Sequence, residues 1–170
     1  MGIKITLKTK TNKKAEELIR NLKNGGSVKV GWYEGQKEPN GLLVAENAYI
    51  QENGATIYFQ TKTGKPATIH IPPRPFLLIT INENKNKWQA IWKKLYKSVL
   101  DGKRTLKQAL DLLGHIVKKD IQKTLRSNIQ PELKESTLKA RERKGNYKTE
   151  TLIDSKTMYD TINFESKVHK

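Results

Sequence analysis

The stretch Ile71-Pro72-Pro73-Arg74-Pro75-Phe76-Leu77 constrains the fold of this chain more than any other. Each proline lacks an N–H and fixes φ, so neither a helix interior nor a central strand can run through it. The segment must be a stiff, extended connector. A long amphipathic pattern follows almost at once, so the connector aims a helix at whatever precedes it. A rigid loop with no further role is the plain alternative.

The 170 residues suit one domain, or one domain with an arm, and are enough to bury a core. The absence of cysteine removes disulfides and thiolate metal sites, which fits a reducing compartment. Met1-Gly2-Ile3-Lys4 opens without the apolar run of a signal peptide, and no stretch approaches the roughly 18 apolar residues of a membrane helix. The expectation is a soluble protein that does not use the usual export signal.

Charge is the other strong constraint. The net charge is +16, and Lys85–Lys148 alone carries 18 Lys/Arg against 6 Asp/Glu. Such a field draws nucleic acid, acidic protein surfaces and anionic membranes alike. Lysine greatly outnumbers arginine, which suits general charge better than bidentate reading of bases. Compositional bias of the source would give the same excess.

Local patterns predict an α+β chain. Ile3, Ile5 and Leu7 alternate with polar residues as in a half-buried strand. Asn12 can cap a helix with Ala15, Leu18, Ile19 and Leu22 on one face, stopped by Gly25-Gly26. Val28, Val30 and Trp32 alternate again. Leu42–Asn53 reads as a short helix closed by Gly54, and Thr56–Gln60 and Thr68–Ile71 can pair as strands around a basic tip. The Gly64-Lys65 pair in that tip lacks the remaining features of a phosphate loop.

Two long helices follow. Trp88, Ile91, Trp92, Leu95, Tyr96 and Val99 recur at spacings of three and four, and Asp101-Gly102 breaks the run. Thr105 with Gln108 forms a capping box for the second, whose stripe is Leu106, Ala109, Leu110, Leu113, Ile116, Val117, Ile121 and Leu125. The short connection predicts an antiparallel pair packed on a small mixed or antiparallel sheet. Residues 127–151 are poor in apolar side chains and read as a flexible basic arm, extended apart from a short helix near Glu135–Arg141. Thr157–Val168 reads as a C-terminal strand returning to the sheet. The expected organisation is thus a core over 1–126, an arm over 127–151 and a closing strand within 152–170.

Nothing in the pattern points to catalysis. His70, His115 and His169 are scattered, and His115 reads as a packed or surface residue. No His/Asp/Glu set has metal-ligand spacing, no serine sits in a nucleophile elbow, and the carboxylates are spread singly. No cofactor is expected.

Four blocks then occur in a telling order. They are Val44-Ala45-Glu46-Asn47-Ala48-Tyr49-Ile50-Gln51-Glu52-Asn53-Gly54-Ala55-Thr56; the Ile71–Leu77 proline run; Pro131-Glu132-Leu133 followed by Ser136-Thr137-Leu138 and Arg141; and Leu152-Ile153-Asp154-Ser155 followed by Met158, Thr161 and Ile162. This succession, over roughly residues 28–168, resembles the tail-completion and neck proteins of tailed bacteriophages, which join head to tail or close the tail's upper end. The family usually has an aromatic residue where Asn53 stands and a glycine where Lys156 stands. The resemblance implies a virion protein without enzymatic activity, found in the neck or tail of the particle and in host cytoplasm during assembly. It implies a cyclic homo-oligomer, a hexamer or dodecamer, that meets other neck, tail-terminator or tail-tube proteins and could meet DNA in the channel, with no membrane partner. Arg74, stiffened between Pro73 and Pro75, is the leading interface candidate, with Pro73, Phe76, Arg141 and Asp154. Asp154 of a neighbouring subunit could receive Arg74; pairing inside its own chain is the alternative. Trp32, Trp88 and Trp92 are expected in the core. The competing readings are a non-sequence-specific DNA-binding accessory protein, argued from charge, and, well behind it, a small metal-dependent nuclease.

Overall fold

Helices α3 (Phe76–Leu100) and α4 (Leu106–Leu125) form the backbone of the fold in the computed structural model, which describes residues 13–61 and 63–169. They are antiparallel, as the short turn between them requires. Gly102 takes φ +69°, which a side chain would resist, and Thr105 begins α4 with the anticipated capping box. Lys87 and Trp88 of α3 reach Asp120 of α4 at 2.6 and 2.7 Å, tying the far ends together.

The remaining elements are α1 (Lys13–Asn24), β1 (Gly26–Gly31), α2 (Val44–Asn53), β2 (Ala55–Gln60), β3 (Pro66–Ile71), α5 (Glu135–Glu142), α6 (Thr157–Thr161) and β4 (Asn163–Val168). The expected strand at Ile3–Leu7 and the Asn12 cap lie outside the described residues. The chain is α+β, as its pattern indicates, but the described strands form two separate antiparallel pairs instead of one sheet: β1 with β4, and β2 with β3.

The β1–β4 pair packs against α4. Close approach there depends on missing side chains. A Cβ on Gly114, mid-helix in α4, would sit 2.4 Å from the Phe164 ring, and one on Gly26 would meet Leu110 at 2.6 Å. A glycine inside a helix costs about 0.5–1 kcal/mol, so its place here is explained by the ring it admits. One core cluster gathers Val44, Phe76, Ile121, Leu125, Leu152, Ile153, Met158 and Ile162; a second gathers Val99, Leu106, Ala109 and Leu110. Each large side chain so buried contributes about 1.5–3 kcal/mol. Trp32 and Trp92 pack against these clusters, as expected of core aromatics, whereas Trp88 joins neither and is half-buried with its Nε1 on Asp120.

Two expectations need correction. The strand expected from Thr157 begins only at Asn163, because Thr157–Thr161 is helix α6. A strand would carry Asp160 to the same face as Met158 and Ile162, whereas the helix leaves Asp160 exposed while both apolar residues are buried. Residues 127–151 are not an extended arm either. Ile129, Arg141 and Thr151 are buried, Arg141 being the one buried residue of α5. The stretch is anchored by polar bonds, which its sparse apolar content does not advertise.

Candidate functional site

The four sequence blocks meet around two buried arginines. The first block ends at α2, where Gly54 turns the chain at φ +75°. A Cβ there would lie 2.9 Å from both the Ile71 carbonyl and the Pro73 nitrogen, so the turn nests under the proline run. The Arg74 N–H donates to the Gln51 carbonyl at 2.7 Å, and Pro75 then starts α3 without a capping side chain of its own. Glu52 supplies the cap from α2: its two oxygens accept from the Leu77 and Leu78 N–H groups at 2.8 and 3.1 Å. A carboxylate at a helix N-terminus satisfies orphan donors and the dipole together.

Arg74 reaches across to the third block. Its Nε donates to the Pro131 carbonyl at 2.9 Å and Nη2 to the Glu132 carbonyl at 3.4 Å. Burial, and then the nearby charge of Arg141, pull its pKa below the usual guanidinium value. Arg141 in turn gathers the stretch after α5, donating from Nη1 to the Lys148 and Glu150 carbonyls at 3.0 and 2.9 Å. Its Nε lies 3.1 Å from Asp154 Oδ1 without the alignment of a hydrogen bond, so charge holds that contact. Asp154 Oδ1 also accepts from Asn146 Nδ2 at 2.7 Å.

The fourth block is pinned by the loop after β1. Buried Glu38 accepts from Ser155 Oγ at 2.6 Å and from Asn47 Nδ2 at 2.8 Å. Trp32 Nε1, Gln122 Nε2 and Gln36 Nε2 donate to the carbonyls of Met158, Tyr159 and Thr161 at 2.7, 2.9 and 3.1 Å. These donors satisfy carbonyls that so short a helix cannot pair internally.

Of the five expected interface residues, Arg74, Phe76 and Arg141 are therefore turned inward in this chain. Phe76 is wholly buried, edge-on to Trp32 with ring centroids 5.8 Å apart. Arg74 meets backbone carbonyls of its own chain, and Asp154 sits beside Arg141 instead. Only Pro73 and Asp154 remain at the surface. Pattern reading missed Glu38 and Glu52, whose partners are a serine, an asparagine amide and backbone N–H groups.

Two surfaces around this joint stay open. The β2–β3 hairpin places Ile57 opposite Ile69 and Phe59 opposite Ala67 on one face, with Thr56, Tyr58, Thr68 and His70 on the other. The apolar face is uncovered: Ile57, Phe59 and Ile69 are 42%, 43% and 48% exposed. Its alternation was present in the sequence. Beside β3, a groove of about 1430 Å³ runs between the hairpin and α5, floored by Arg74, Arg141, Leu152 and Met158. Among the described residues, no three His, Asp or Glu side chains converge as metal ligands. No described helix is long and apolar enough to cross a membrane. Comparison with family models, curated proteins and solved structures gives no match to this chain.

Proposed function

We propose that this chain is a structural virion protein of the bacteriophage neck or upper tail end, a subunit of an oligomeric ring that completes the tail, joins it to the head, or both. It works through subunit contacts and carries no catalytic step. The observation that supports this reading is the β2–β3 hairpin with its uncovered apolar face. A two-stranded hairpin is marginal by itself, and an exposed apolar face at its end is the usual mark of a protein contact. In a ring, a neighbouring copy would cover it by a head-to-tail contact. The blocks that carry the family resemblance form the joint from which this hairpin projects.

Light scattering on the purified protein, alone and with tail and neck proteins, tests the reading. A discrete multimer is expected, or a monomer converted to one by a partner. Ile57→Asp with Phe59→Asp should leave a folded monomer. A wild-type monomer that ignores those partners would overturn the assignment.

One observation favours the DNA-binding alternative. Lys93, Lys94 and Lys97 of α3 and Lys119 and Lys123 of α4 are exposed and form no ion pair with a described residue. Duplex binding through them would weaken steeply with salt and show little sequence preference.

A further inference from the structure

The groove beside β3 has three properties that together define an occupant. Its size comes first. At about 1430 Å³ it exceeds the roughly 300–1,000 Å³ of small-molecule pockets, so a chain segment fits it better than a metabolite. The second property is an open strand edge. Thr68–Ile71 of β3 line one wall, and among the described residues β3 is paired on one side only, with β2. A free edge presents unpaired N–H and C=O groups along an extended line and is a template for an added strand.

The third property is charge. Arg74, Lys134, Arg141, Lys144, Lys148 and Lys156 line the groove against Glu38, Glu132 and Asp154. The acids are already engaged in part: Glu38 by Asn47 and Ser155, and Asp154 by Asn146 and Arg141. Lys134 and Lys144 are exposed and form no ion pair with a described residue. Among the described residues Arg74 is compensated there by carbonyl dipoles alone, an incomplete match for a buried charge. A second copy of this basic chain brings the wrong sign, whereas a segment rich in carboxylates brings the right one.

We propose that this groove binds an extended acidic segment of a partner protein, laid as a third strand on the free edge of β3, with its carboxylates facing Lys134, Lys144 and Arg74. Backbone pairing supplies the register, and the lysines select against neutral or basic strands. The inference does not rest on the ring assignment: it concerns the β3 edge and α5, whereas the ring contact concerns the apolar hairpin face.

Fluorescence anisotropy on the full chain tests it with a labelled peptide of about eight residues alternating glutamate and valine, a length typical of one strand. Its glutamine–valine counterpart, and a version N-methylated at alternate residues, serve as comparisons. The acidic peptide should bind at least about tenfold more tightly than either, the first loss reporting charge and the second strand pairing. Lys134→Glu with Lys144→Glu should cost a similar factor, while Lys93→Glu with Lys97→Glu, outside the groove, should cost little; circular dichroism checks that both variants fold. The proposal fails if the acidic peptide does not bind up to about 1 mM, an affinity near the weak end for a specific contact. Equal binding of the N-methylated peptide, or equal loss in the α3 variant, also overturns it. So does a short DNA duplex that binds more tightly through Lys134 and Lys144, since the ligand would then be a phosphate backbone.

Discussion

Arg74 holds two carbonyls from a segment more than fifty residues away, and a guanidinium does this by its shape as much as by its charge. Arg74→Lys keeps the charge but removes the fork. It should lower unfolding stability by about 2 kcal/mol, in line with losing hydrogen bonds to a charged group. The measurement is denaturant unfolding of the isolated protein; an unchanged midpoint would mean that Arg74 does not hold the 127–151 segment in place. Lys156 offers the opposite case. It sits at φ +69°, in the left-handed region that glycine adopts without strain. A side chain there costs about 1–2 kcal/mol, against about 0.5–1 kcal/mol of extra chain entropy that glycine loses on folding. Lys156→Gly should therefore stabilise the protein by about 0.5–1 kcal/mol, read as a rise in melting temperature.

Between elements, the joints are carried by single polar side chains. Glu52 closes the N-terminus of α3 that Pro75 leaves bare, and Glu52→Ala should cost about 1–2 kcal/mol, the scale of a strong helix cap. Thermal melts would show it, and Glu52→Asp, with a shorter reach, should recover only part. Asp111 ties α4 to β4: hydrogen bonds from the Lys107 ammonium and the Ser166 hydroxyl hold its carboxyl below the usual carboxylate range. A depressed folded value means the contribution is complete above about pH 4, the ordinary aspartate pKa, and is lost as pH falls through the folded one. Asp111→Asn should thus flatten the loss of stability below about pH 4 in a pH series of thermal melts. The effect will be modest because the carboxylate is 35% exposed. These joints also mark the limit of what the chain's pattern discloses. The α3–α4 pair, its capping box, the Gly54 turn and the β2–β3 hairpin were legible because periodicity and caps are local. The docking of residues 127–151 was not. Arg74 and Arg141 bind carbonyls, and a carbonyl belongs to every residue, so Pro131, Lys148 and Glu150 carry no mark as partners. Helix α6 was misread because Met158 and Ile162 border a true period-2 strand.

For the molecule as a whole, the uncompensated charge of +16 is the dominant stress. Like charges crowded on one body favour the unfolded chain, and salt relieves them. Raising ionic strength from about 20 mM to about 300 mM, which shortens the Debye length severalfold, should raise the melting temperature of the free protein. A fall would mean that the few ion pairs outweigh the repulsion. Partner binding would relieve the same stress. The closing pair of strands, β1 with β4, has a temporal consequence. Trp32 and the Met158 carbonyl that it bonds lie 126 residues apart, so the core around α4 cannot close until almost the whole described chain has emerged from the ribosome. Such long-range closure slows folding. A chain terminated before Met158 would keep the faces of α4 and β1 open and present itself to proteases.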